Sequence, residues 1–119
     1  MFVMFVAYIV VAVLMAVVLA GSARAKLVRD AKITAGLTAV GVPEGWFPRL
    51  AALEIAGALG LLTGIVFRPL GVAVGVGVVL YFAGALVTHL RARDVKGAPV
   101  PAVLLLVAVA PVALGLATV

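Results

Sequence analysis

The sequence predicts an all-α fold, an integral membrane four-helix bundle with antiparallel neighbours. Three observations predict it. Four apolar stretches, each close to the thickness of a bilayer, fill most of the 119 residues. Hydrophobic residues make up 67% of the chain and charged residues only 11%, more apolar surface than a soluble domain of this size can hide. Nearly all the Lys and Arg residues fall in the gaps at one end of those stretches. A single transmembrane domain over residues 1–119 is expected, with no length left for a soluble catalytic domain.

The first span covers about residues 1–21 and carries no charge. At ~1.5 Å per residue, ~20 helical residues cross the ~30 Å hydrocarbon core. Ala23-Arg24-Ala25 has the small-residue character of a secretory cleavage site. No basic segment precedes the apolar run, however, and the run exceeds the roughly 7–15 residues of a signal core. It reads as a retained helix.

The segment 24–48 is the one long connection. Leu27, Ile33, Leu37 and Val40 make a loose helical stripe against polar Arg29, Asp30 and Lys32. This predicts a cytoplasmic extension of the first span or a helix lying on the membrane surface. Gly41, Pro43 and Gly45 break it, and Trp46 and Phe47 fall where aromatic side chains anchor at the headgroup level. The second span, 50–67, is interrupted only by Glu54, and Arg68-Pro69 is expected to form a tight turn. The third span, 70–90, leads through the basic loop Arg91–Ala98 to the fourth, 99–118. Pro99 and Pro101 suit a first helical turn, and Pro111 is expected to kink the helix it enters.

Orientation follows from charge. Arg24, Lys26, Arg29, Lys32 and Arg49 lie between the first two spans, and Arg91, Arg93 and Lys96 between the last two; Arg68 alone is on the other side. The positive-inside rule puts both basic loops in the cytoplasm and both termini outside, in a multi-pass protein of the inner (plasma) membrane. The net charge of +5 then reflects orientation and anionic lipid, with no nucleic acid implied.

Composition excludes much chemistry. Without cysteine the chain has no disulfide, thiol relay or iron–sulfur ligation, and one histidine cannot supply two axial haem ligands. No nucleophile–base triad or phosphate loop is present, no catalytic residue is assigned, and one imidazole with one carboxylate is too thin a set for a metal site. What remains is a small polar group. Glu54 is a carboxylate inside a span, a position that costs up to a few kcal/mol at mid-membrane. It lies about 6 Å from the cytoplasmic edge of the second span, so pairing with a basic neighbour is the structural alternative to a functional role. Antiparallel packing brings His89, at the end of the third span, to the same layer, and Lys26 can reach it by snorkelling. Lys26, Glu54, Thr88 and His89 are expected to form one polar cluster with Tyr81 nearby. A helix cap is the ordinary use of a histidine such as His89.

Small residues mark packing faces: Gly57, Gly60 and Gly64 on the second span, and Gly71, Gly75, Gly77 and Gly84 on the third. Gly77, Tyr81, Gly84 and Thr88 share one face, which suits packing within the bundle or, as the lesser option, a homo-oligomer seam.

Gly21-Ser22 with Lys26-Leu27, then Val40-Gly41-Val42-Pro43, Leu53-Glu54-Ile55-Ala56-Gly57 and Thr88-His89-Leu90-Arg91, in this order and spacing, resemble the DoxX-like membrane proteins. The resemblance runs from the first span to the loop after the third. It implies a four-helix membrane bundle in a redox setting, since some relatives are small membrane subunits of thiosulfate:quinone oxidoreductase. The lack of cysteine argues against carrying over thiol chemistry. Lys26, Glu54 and His89 are the matched positions.

Three functions are therefore in competition. One is an accessory subunit of a membrane redox or quinone-linked complex, with no redox centre of its own. Its partner, soluble or membrane-bound, would dock on the cytoplasmic side, and Glu54, His89 and Tyr81 would contact a quinone. The second is a structural or assembly module, and the third a proton-coupled transporter using Glu54. Four spans without a second half make the third the weakest.

Overall fold

The structure, a computed structural model, describes residues 2–119 and is helical. It comprises α1 (Phe2–Leu27), α2 (Ala31–Ala39), a 3-10 turn at Glu44–Trp46, α3 (Phe47–Thr63), α4 (Arg68–Arg91) and α5 (Pro99–Ala117). The helices α1, α3 (with the turn before it), α4 and α5 are long and apolar enough to cross a membrane. The long axis of 45 Å matches a bilayer with its headgroup layers.

The four long helices close a ring in which α1 packs on α3, α3 on α4, α4 on α5 and α5 on α1. Chain direction alternates around this ring, so every neighbouring pair is antiparallel. Val, Leu and Phe side chains cover the outside, with Val17, Leu59, Leu80 and Leu106 each more than 60% exposed. Such an exterior is stable only against lipid, and the protein is a multi-pass membrane protein.

With no hydrophobic drive between helices in lipid, packing rests on close approach. Tyr8, Met15, Leu19, Leu61, Val78 and Phe82 fill the centre. Between the end of α3 and the start of α4, a Cβ on Gly71 would lie 2.8 Å from the Cα of Gly64, and the Tyr8 hydroxyl fills the remaining space. Only hydrogen at both positions allows this crossing. The Tyr8 hydroxyl donates to the Leu61 carbonyl at 3.4 Å.

Several elements differ from expectation. Arg68 and Pro69 open α4 and do not form the turn, which is Gly64–Phe67. Proline in a first helical turn forfeits no hydrogen bond, so it starts the helix as readily as it interrupts one. Arg68 donates to the Gly64 and Ile65 carbonyls at the end of α3 and lies over the rings of Phe5 (4.7 Å) and Tyr8 (4.8 Å). This cation thus caps a helix C-terminus, where carbonyls lack partners. In the long connection, α1 continues to Leu27, breaks where Arg29 adopts a φ of 52°, and α2 begins as a separate helix. The Asp30 carboxylate caps α2 by accepting from the Ile33 amide at 3.2 Å, and no α2 residue is buried. Of the two aromatic residues expected at the headgroup level, Trp46 is half exposed beside Arg49, whereas Phe47 is fully buried. The 3-10 turn leads directly into α3 and rotates Phe47 inward.

Candidate functional site

Glu54 lies seven residues into α3, about 10 Å along the helix axis. It is 1% exposed. Lys26, one residue before the end of α1, is 7% exposed, and its Nζ donates to Glu54 Oε1 at 2.8 Å and to Ser22 Oγ at 2.8 Å. Helical side chains lean toward the helix N-terminus, so a lysine here reaches back over Ser22, one turn earlier. The ammonium therefore turns into the bundle and not out to the headgroups, joining α1 to α3. In so apolar a surrounding, removal of either partner strands a charge, which costs about 3–5 kcal/mol.

The other carboxylate oxygen, Glu54 Oε2, is buried. Such an atom in a membrane interior requires a donor. Glu54 and Tyr81 both line a groove of about 430 Å³ between α3 and α4, with Leu19 of α1 behind it. Leu53, Gly77 and Leu80 on its rim are exposed on the outer surface, so the groove opens sideways toward lipid. The Tyr81 hydroxyl is a hydrogen-bonding neighbour of the Glu54 carboxylate.

His89 has a different neighbour. Its Nδ1 donates to Asp94 Oδ2 at 2.8 Å, while the Gly97 amide donates to Asp94 Oδ1 at 3.0 Å. The Asp94 amide in turn donates to the His89 carbonyl at 2.8 Å. The hydrogen bond from His89, and next that from Gly97, hold the Asp94 carboxyl below its ordinary value. His89 is thus part of the cap that turns α4 toward α5, and it does not line the groove. Thr88 is spent locally as well, its hydroxyl donating to the Gly84 carbonyl at 2.8 Å.

The expected cluster of four therefore divides. Lys26 and Glu54 meet, Tyr81 joins Glu54 at the groove, and Thr88 and His89 stay with α4 and its loop. The reason is competition: Asp94 is five residues from His89, so its carboxylate reaches the imidazole at far lower entropic cost than a residue on another helix. Sequence reasoning missed Ser22 and Asp94 as partners. Asp94 had a signal, an Asp three residues before a Gly at the entrance to a proline-started helix, the pattern of a side chain capping its own turn. Among the described residues no group of three or more His, Cys, Asp or Glu side chains could hold a metal ion.

Comparison with known proteins adds one positive finding. The family model described as the DoxX-like family matches residues 10–111, most of the chain and all of the site just described. No curated protein and no solved structure matches it. Matched across all four membrane helices, the chain belongs to the DoxX-like family.

Proposed function

We propose that this protein is an accessory subunit of a membrane redox complex, sheltering a quinone-class molecule between α3 and α4 while contributing no redox centre of its own. The observation that carries this reading is the buried Glu54 carboxylate, with the Tyr81 hydroxyl beside it, at a groove that opens toward lipid. A lipophilic ring needs an apolar slot and one or two hydrogen-bonding groups, and Glu54 and Tyr81 supply the latter. His89, held by Asp94, has no part in it. The basic loops, placed in the cytoplasm by the positive-inside rule, provide the side on which a redox partner docks.

A structural role for Glu54 is the second reading, favoured by the Lys26 bridge, which ties α1 to α3. The two readings separate on Glu54→Gln. Gln weakens the Lys26 bridge in either case, so the readings separate on activity. As a ligand contact, Glu54 is needed for complex activity even where the variant is fully folded; as a bridge only, the folded variant keeps its activity. The direct test is mass spectrometry of the gently solubilised native complex. Co-purifying oxidoreductase subunits and a retained quinone-class molecule are expected; a homo-oligomer carrying only phospholipid contradicts the proposal.

A further inference from the structure

We infer that the end of the bundle carrying both basic loops is a binding surface for anionic phospholipid headgroups, with Trp46 and Arg49 as one contact point; this stands apart from the quinone-class reading above. It begins with a charge balance. All four acidic side chains are engaged: Asp30 caps α2, Glu44 pairs with Arg29 at 3.2 Å, Glu54 with Lys26, and Asp94 with His89. Arg68, at the opposite end, is held by the Gly64 and Ile65 carbonyls. Of the nine Lys and Arg residues this leaves Arg24, Lys32, Arg49, Arg91, Arg93 and Lys96, all exposed and, among the described residues, without an acidic partner. Uncompensated cations gathered at one end of a bundle attract anionic lipid to a single leaflet.

The backbone at this end points the same way. Arg29 and Arg93 have positive φ, 52° and 58°. Glycine enters that conformation without steric cost, yet both places hold an arginine followed by an aspartate. In each case the aspartate accepts from the amide three residues on, Ile33 at 3.2 Å and Gly97 at 3.0 Å. α1 and α4 therefore end alike, each placing an arginine just past its last turn.

Apolar side chains interleave with the cations. Val28 precedes Arg29, Val95 lies between Arg93 and Lys96, and both valines are exposed. Trp46 is half exposed, with the Arg49 guanidinium 5.0 Å from its ring. A headgroup layer serves both kinds of side chain at once, since the indole and the valines enter the acyl boundary while guanidinium groups meet phosphate. An acidic protein surface in water would leave the apolar side chains without a partner.

The one tryptophan of the chain is the probe. The full chain is reconstituted in nanodiscs of phosphatidylglycerol and phosphatidylcholine, one or the other brominated in its acyl chains to quench a neighbouring indole. The anionic lipid is expected beside Trp46 in roughly fivefold or greater preference to the zwitterionic one. That preference should fall severalfold in Arg49→Gln and collapse in about 1 M salt, where the screening length is about 3 Å. A second reporter, Val66→Trp in a Trp46→Phe background, is exposed at the opposite end and should show no preference. The wild-type comparison decides the matter even if a variant fails to fold. No preference at Trp46, the same preference at both ends, or a preference that salt leaves intact overturns the inference. Binding of polyglutamate in purely zwitterionic nanodiscs, without any lipid preference, would assign the surface to an acidic protein and overturn it likewise.

Discussion

Lys26–Glu54 and His89–Asp94 lie toward the same end of the bundle, where the basic loops are, and have the same 2.8 Å separation. The first joins residues 28 apart on two helices, with side chains 8% and 1% exposed. The second closes a five-residue interval within one turn, with side chains 18% and 33% exposed. Distance alone would rank them equal. Burial and chain separation make one a tie across the bundle, beside a groove, and the other a loop cap in contact with water.

The largest expected effect is on the buried pair. Lys26→Ala or Glu54→Ala should each lower stability by about 3–5 kcal/mol, since each leaves one charge buried without its partner. Glu54→Gln should cost less. Replacing both residues together, as Lys26→Met with Glu54→Leu, should recover most of the loss, because an apolar pair of similar volume needs no desolvation. Unfolding titrations in mixed micelles measure all four. A double variant no more stable than either single one would show that the damage comes from packing and not from charge.

The loop pair should respond less. Gly97→Ala places a methyl group against the Asp94 carboxylate and 2.8 Å from His89 Nδ1, so the side chains must separate. A stability loss well below that of Lys26→Ala is expected, together with a changed chemical shift for the His89 ring in NMR spectra. An unchanged ring environment would mean that the loop accommodates the methyl group elsewhere.

The pH dependence sharpens the contrast further. The Asp94 carboxyl is held below its ordinary 3.8, chiefly by the hydrogen bond from His89 and then by the Gly97 amide. A carboxyl depressed in the folded state stabilises the fold at pH above its unfolded value, and that contribution fades as pH falls through the folded value. The stability difference between wild type and Asp94→Asn should therefore shrink as pH falls below 3.8. A difference that persists unchanged into stronger acid would contradict the assignment. The smallest effect belongs to Tyr81→Phe, which removes one neutral hydroxyl beside Glu54 and should alter stability by about 1 kcal/mol or less. A retained quinone-class ligand should nonetheless be depleted in that variant.

How far the sequence could be read depended on which coordinate was asked for. Position along the membrane normal was legible: span lengths and charge placement put Lys26, Glu54 and His89 at one end, where the helices bring them. Rotation about the helix axes was not. α1, α4 and α5 are apolar on every side, so nothing in their pattern shows which face turns inward. Tyr8, the central side chain of the bundle, therefore went unremarked, and Gly77 and Gly84, grouped with the packing glycines, turned out to be exposed. The division of the polar cluster was hidden for a related reason. Lys26 and His89 both lie at the right depth, and only the local claim of Asp94 on the imidazole decides between them.

Glu54 is bound to Lys26 and not to His89. Two double-variant cycles in the same micelles test this directly, one combining Lys26→Met with Glu54→Gln and the other His89→Gln with Glu54→Gln. A coupling of more than about 1 kcal/mol is expected for the first and additivity within about 0.5 kcal/mol for the second. Additivity between Lys26 and Glu54, or strong coupling between His89 and Glu54, would contradict the account.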